Sequence, residues 1–145
     1  MKTVGDVLQS KGHDIWSIGP DASVYQAIEK MAEKGIGALL VIDEGRMVGI
    51  LSERDYTRKV VLQGKASKTT AVKEIMTSEV VTARQDQTVE QCMQIMTERR
   101  VRHLPVFKGS QLIGMISIGD VGKAIMTEQQ FIIEQLKEGW PTVKE

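Results

Sequence analysis

The chain repeats itself, and an internal repeat constrains a fold more than any other property of a sequence. Shifting the 145-residue chain by 65 positions aligns residues 14–60 with 79–125 without a gap, and 10 of those 47 pairs are identical. They are Asp21/Asp86, Val24/Val89, Gln26/Gln91, Met31/Met96, Glu33/Glu98, Leu39/Leu104, Val41/Val106, Gly49/Gly114, Ser52/Ser117 and Asp55/Asp120. Conservative pairs such as Ser23/Thr88, Ile36/Val101, Val48/Ile113 and Leu51/Ile116 fall in the same frame. The lead-in VGDVLQS (4–10) aligns with VKEIMTS (72–78) at a shift of 68, which makes Lys11–His13 extra residues in the first copy.

Each copy reads as strand, helix, strand, strand, helix. A short first strand is expected around Trp16–Ile18 and Val81–Ala83. A helix then opens from a capping box, Ser23-x-x-Gln26 or Thr88-x-x-Gln91, in which side chains close free backbone N–H groups. Val24, Ala27, Ile28 and Met31 share one helical face, as do Val89, Cys92, Met93 and Met96. The apolar runs ALLVI (38–42) and LPVF (104–107) each lead through a polar turn, 43–46 or 108–111, into MVGIL (47–51) or LIGMI (112–116). That is a hairpin signal. Gly49 and Gly114 interrupt these strands, where a glycine marks a bulge or a close backbone approach. A second helix opens at Ser52 and at Ser117. The polar stretch 64–71 joins the copies. These boundaries divide the chain into repeats at 4–63 and 72–126, with a helical extension and tail at 127–145.

One unit of about 60 residues buries too little surface to be comfortably stable alone. The expectation is therefore an α+β protein whose two copies pack about a pseudo-two-fold axis. Such packing would leave two similar clefts between them. Composition narrows the function classes. Lys+Arg and Asp+Glu both number 19, so the chain has no general attraction for a phosphate polymer, and nucleic acid is not expected as a partner. Cys92 is the only cysteine, which excludes an intramolecular disulfide and a Cys-rich metal site. The longest apolar run is far short of the roughly 20 residues that span a bilayer, and no signal peptide is evident. A cytoplasmic protein without membrane contact is expected. No P-loop, metal-spaced cluster or nucleophile signature occurs, so no catalytic or metal residues are assigned.

The segments GIGALLVIDEGRMVGILSERD and RVRHLPVFKGSQLIGMISIGD resemble the CBS domain pair, or Bateman module, and the resemblance runs from about Val4 to Met126. It implies a regulatory, non-enzymatic module that binds AMP, ADP, ATP or related adenosine ligands, including NAD(H) and S-adenosylmethionine, between the repeats. It also implies a homodimer.

The candidate site residues follow from both lines. Ser52-x-x-Asp55 and Ser117-x-x-Asp120 each sit where a strand gives way to a helix. Helix capping alone accounts for those residue types. A carboxylate also accepts two hydrogen bonds from a ribose diol, and the resemblance assigns both aspartates that role, with the serines near phosphate. Arg54 is either a solvated cation or a phosphate contact, and its counterpart is Gly119. Arg102 and His103 match the family position that meets phosphate, while Gly37 and Ala38, their counterparts, leave room for a flat base. Arg99 and Arg100 end a solvated helix. Ile15, Ile18, Val80, Val81 and Thr82 lie on the first strands that enclose adenine in the family, although core packing also suits the apolar ones. Ligand contacts from both copies would favour one relative orientation. Two rival readings are a dimerising scaffold without a nucleotide ligand and a small nucleotide hydrolase; the second lacks a general base. The helix after Ser117 should continue to about Leu136, with Ala124, Ile125, Phe131, Ile132 and Leu136 forming an apolar face for a second copy.

Overall fold

Ser23 and Thr88 accept the backbone N–H of Gln26 and Gln91, whose side chains return the bond to the cap N–H. These reciprocal bonds fix the starts of α2 (Val24–Lys34) and α5 (Val89–Arg99) at the expected residues. The computed structural model describes residues 1–137, with the backbone alone at 131 and 134–137. The elements before α5 are α1 (Val4–Lys11), β1 (Ser17–Ile18), α2, β2 (Ala38–Asp43), β3 (Arg46–Ser52), α3 (Glu53–Tyr56), α4 (Val72–Ile75) and β4 (Ala83–Arg84). A π-helical turn at Thr57–Val61 extends α3. After α5 come β5 (His103–Lys108), β6 (Gln111–Ser117) and α6 (Ile118–Lys137). The fold is α+β and shows the expected β-α-β-β-α order twice.

Each copy forms its own three-stranded sheet, β1-β2-β3 or β4-β5-β6, with a parallel first pair and an antiparallel hairpin. The hairpin turns use different chemistry for the same job. Glu44 and Gly45 both have positive φ, as a type I′ turn requires, whereas in the second copy Gly109 alone is positive, the type II′ pattern. Both hairpins slip register at equivalent points. Val41 faces Gly49 but Ile42 faces Met47, and Val106 faces Gly114 but Phe107 faces Leu112, so Val48 and Ile113 are bulged.

The lead-in segments do not join the repeat that follows them. The chain divides into one unit of Met1–Asp14 with 81–145 and another of Ile15–Val80. Val4, Val7 and Leu8 of α1 are buried with Ala83, Val89, Leu104, Ile116 and Val121. Val72 and Ile75 of α4 are buried instead with Val24, Leu39, Leu51 and Val60. Main-chain bonds fix both placements: Val4 N–H to Gln87 O and Val89 N–H to Lys2 O in one unit, Val72 N–H to Ala22 O and Val24 N–H to Thr70 O in the other. A division in chain order, 4–63 and 72–126, therefore follows the sequence repeats but not the packed units.

The two strand glycines mark where these lead-ins dock. A Cβ on Gly49 would lie 2.7 Å from Met76 Sδ and 2.9 Å from Thr77 O. One on Gly114 would lie 2.8 Å from Leu8 Cδ2. Each copy thus has both features that a strand glycine signals, a bulge and a close approach. Cys92 is fully buried beside Met96, and desolvation pushes its thiol up to about 11, so it stays an inert core thiol.

Candidate functional site

Both Ser-x-x-Asp corners form as expected, and each lies within a single unit. In the unit of residues 15–80, Ser52 N–H donates to Asp55 Oδ2 (2.9 Å) and Asp55 N–H donates to Ser52 Oγ (3.2 Å). In the other, Ser117 N–H donates to Asp120 Oδ2 (2.8 Å) and Asp120 N–H to Ser117 Oγ (3.1 Å). These are capping boxes with aspartate in the returning role. The bonds hold the carboxylates at the strand–helix corner, where the side chains of Asp55 and Asp120 remain 16% and 25% exposed.

The sheet register brings the neighbouring candidates to the same corners. His103 faces Ser117 across the β5–β6 ladder, and Ile118 N–H donates to Arg102 O at 2.8 Å. At the equivalent place, Ala38 faces Ser52 and Glu53 N–H donates to Gly37 O at 3.0 Å. The alignment at a shift of 65 therefore holds residue for residue around both corners. Arg102 is exposed and Arg54 half-buried, and neither makes an ion pair with a described residue. The two cations are free to meet an anion. Ala38 is fully buried, so Gly37 is the member of that pair that meets open space. It borders a hollow of about 460 Å³ between α2 and α3, lined also by Met31, Glu53 and Tyr56; Ser52 and Asp55 do not line it. Thr82 is exposed just before β4, while Ile18 packs on the core of its unit opposite Val41.

Two lysines that sequence reasoning did not assign to the site are bound to its aspartates. Lys11 Nζ, at the end of α1, lies 2.5 Å from Asp120 Oδ2 and donates to Met115 O at 2.7 Å. Lys59 Nζ lies 3.1 Å from Asp55 Oδ1 and donates to Ile75 O at 2.9 Å. The Asp55–Lys59 spacing is an i,i+4 pair and was readable in the sequence. Lys11 belonged to the three-residue insertion, which had no repeat counterpart to flag it. His13, from the same insertion, places Nδ1 2.9 Å from the carbonyl of the bulged Ile113.

These charges set the protonation of the Asp120 corner. Burial raises the Asp120 carboxyl, but the Lys11 hydrogen bond, the Ser117 N–H and the Lys11 charge outweigh it and hold it below the ordinary value of 3.8. Burial lowers His103 below its ordinary 6.5; Lys11 and Arg102 lower it further, against an opposing pull from Asp120. The imidazole is thus neutral at pH 7 in the ligand-free protein. Among the described residues no cluster of three or more His, Cys, Asp or Glu is placed to hold a metal, and no helix is long and apolar enough to cross a membrane.

Comparison with known proteins agrees with this architecture. The CBS domain family model matches residues 4–62 and 72–127. The chain is 40% identical over 144 residues to CBS domain-containing protein CBSX3, mitochondrial, of Arabidopsis thaliana, across 92% of this chain and 69% of that protein. It is 50% identical to a solved protein with CBS domains from Burkholderia ambifaria MC40-6, covering 88% of this chain and 96% of that one with a TM-score of 0.85. The CBS domain pair of protein MJ0100, crystallised with 5′-methylthioadenosine and S-adenosyl-L-methionine, shares the fold at 24% identity and a TM-score of 0.78, over 88% of this chain and 98% of that one. With two tandem family matches that together span most of its length, this chain belongs to the CBS domain family and carries two copies of the domain.

Proposed function

We propose that the chain is a regulatory module, not an enzyme, that senses adenosine ligands (AMP, ADP or ATP, with NAD(H) and S-adenosylmethionine in the same class). One site centres on Asp120 with Ser117, Arg102, His103 and Thr82; the other centres on Asp55 with Ser52, Arg54, Ile18 and Gly37, while Ala38, fully buried, packs behind it. The observation that carries the reading is the twice-built corner. A partly exposed carboxylate is held rigidly by its own cap, at a corner that also carries an arginine, Arg54 or Arg102, with no ion pair to a described residue. A ribose diol needs a fixed pair of acceptor oxygens, and a phosphate needs an unpaired cation nearby.

The test is isothermal titration with AMP, ADP, ATP, NAD(H) and S-adenosylmethionine. Asp120→Ala and Asp55→Ala should each weaken one site by roughly 1.5–3 kcal/mol, the scale for hydrogen bonds to a charged group. Absence of binding by every ligand at millimolar concentration, or unchanged affinity in both variants, would leave the aspartates as caps only.

A scaffold role through self-association is favoured by a separate observation. Helix α6 runs 20 residues to Lys137, past the end of the family match, and exposes Met126 (68%), Ile132 (55%) and Ile133 (45%). This is not the face expected from the sequence: Ala124 is buried in the core of its own unit and Ile125 packs against that core, Ile132 is exposed as expected, and the side chains of Phe131 and Leu136 lie outside the described residues. Exposed apolar faces of this kind mark interfaces, so a homodimer through α6 forms part of the proposal. A species of only 16.1 kDa in light scattering at micromolar concentration would refute it.

A further inference from the structure

The two aspartates are neutralised by lysines that are not counterparts of each other. Lys59 stands one turn after Asp55 on the same helical segment, and its equivalent in the second copy is Ala124. Lys123, three residues after Asp120, makes no ion pair with it among the described residues. Asp120 receives Lys11 instead from α1, more than a hundred residues away in sequence. Each ammonium also donates to a main-chain carbonyl, Ile75 O or Met115 O, which fixes it in place. Two different origins converge on one charge state.

The Lys11 arrangement is built rather than incidental. Leu8 is fully buried and packs onto Gly114, and Gly12 closes α1 with its N–H on Leu8 O. His13 then reaches the Ile113 carbonyl, so the chain is anchored on both sides of Lys11. Neither lysine occupies its whole carboxylate. Among the described residues Asp120 Oδ1 accepts no hydrogen bond and Asp55 Oδ1 meets Lys59 alone, whereas a carboxylate offers about four lone-pair positions. A diol can bind while the lysine stays.

A bare carboxylate beside the ribose repels a phosphate attached to the same ribose and attracts a sulfonium. Pairing it with an ammonium cancels that preference, because the net charge next to the ligand becomes zero, and the Arg102 or Arg54 cation then tips the balance toward an anion. Building on the adenosine-sensor reading, we propose that Lys11 and Lys59 are specificity residues that tune both sites to anionic, phosphate-bearing adenosine ligands and against cationic ones such as S-adenosylmethionine.

The test titrates AMP, adenosine and S-adenosylmethionine into the parent protein and into Lys11→Gln and Lys59→Gln. Each variant should lose about tenfold in AMP affinity at one site, the size of one unit charge at the edge of solvent. Adenosine affinity should stay within about twofold. S-adenosylmethionine should bind as well as or better than to the parent, and Lys11→Arg and Lys59→Arg should restore the preference for AMP. AMP and adenosine weakening together would make the lysines structural and overturn the proposal, as would unchanged AMP affinity in both variants. If the parent binds none of the three, the adenosine reading itself fails and this inference fails with it.

Discussion

Gly49 and Gly114 are equivalent in sequence, strand position and register, yet alanine should cost very different amounts at the two. At Gly49 the new methyl would lie 2.9 Å from Thr77 O and 2.7 Å from Met76 Sδ. The carbonyl cannot retreat easily, because Thr77 and Ile50 exchange both main-chain hydrogen bonds at 2.9 Å. At Gly114 the three nearest atoms all belong to the Leu8 side chain, the closest at 2.8 Å, and a leucine can change rotamer. Overpacking a core costs roughly 1–3 kcal/mol, and alanine returns about 0.4–1 kcal/mol by restricting the unfolded chain. Gly49→Ala should therefore lose roughly 2–3 kcal/mol and Gly114→Ala about 1 kcal/mol. With about 3 °C of melting temperature per kcal/mol in a chain of this size, thermal melts and urea midpoints resolve the two readily. Gly114→Ala carries a second consequence. Whatever part of the clash the new rotamer does not relieve falls on α1, which carries Lys11, so AMP binding at the Asp120 site should weaken more than in Gly49→Ala despite the smaller loss of stability. Equal destabilisation by the two substitutions, or a larger loss at Gly114, would refute the distinction between a main-chain and a side-chain clash.

Helix α2 ends on Gly35 and α5 on Arg100, both left-handed, with φ of 66° and 54°; Arg100→Gly removes a side chain from that conformation and should gain about 0.5–1 kcal/mol in urea denaturation. His103 has a folded-state pKa below the unfolded value near 6.5, so the unfolded chain binds the extra proton first. Stability should be fully present above pH 6.5 and fall as pH drops from there toward the folded pKa, and His103→Gln should flatten that part of a pH series of melts. At the Asp120 site a bound phosphate would draw a proton onto His103, so AMP affinity should rise from pH 8 to pH 6 in Asp55→Ala but not in Asp55→Ala/His103→Gln.

Most of the fold was legible because its determinants are local. The capping boxes at Ser23 and Thr88, the hairpin turns at 43–46 and 108–111, and the strand-to-helix corners at Ser52 and Ser117 all lie within a few residues of what they specify. Burial follows the repeat as well: β3 and β6 alternate between enclosed and open positions in the same order. What the sequence concealed was long-range. Nothing in VGDVLQS states whether Val4, Val7 and Leu8 pack on the repeat that follows or on the later one, because either offers an apolar sheet face. The glycines gave the only hint, since Gly49 and Gly114 announced that something approaches closely, without saying that it would be Met76 and Leu8. Ala38 illustrates a smaller gap. A small residue beside a strand start reads equally well as open space or as tight packing, and here it is fully buried.

The placement of the lead-ins bears directly on the site. The unit of Ile15–Val80 is a continuous stretch of chain, inserted between the two segments that make the other unit. Asp55 and its lysine are therefore separated by a single helical turn, and their pairing survives any rearrangement that leaves that helix intact. Asp120 depends on a helix at the opposite end of the sequence, held by Leu8 on Gly114, by the main-chain bonds of Val4 and Gly5 to Gln87 and Gln85, and by Lys2 N–H on Glu128 of α6. The same contacts that complete the apolar core also set the charge beside Asp120. Loosening α1 changes the core and the carboxylate together, whereas loosening α4 frees Lys59 from Ile75 O but leaves it on Asp55. Two corners of equal local geometry thus differ in how tightly their charge state is coupled to folding, and the difference arises from where each lysine enters the chain.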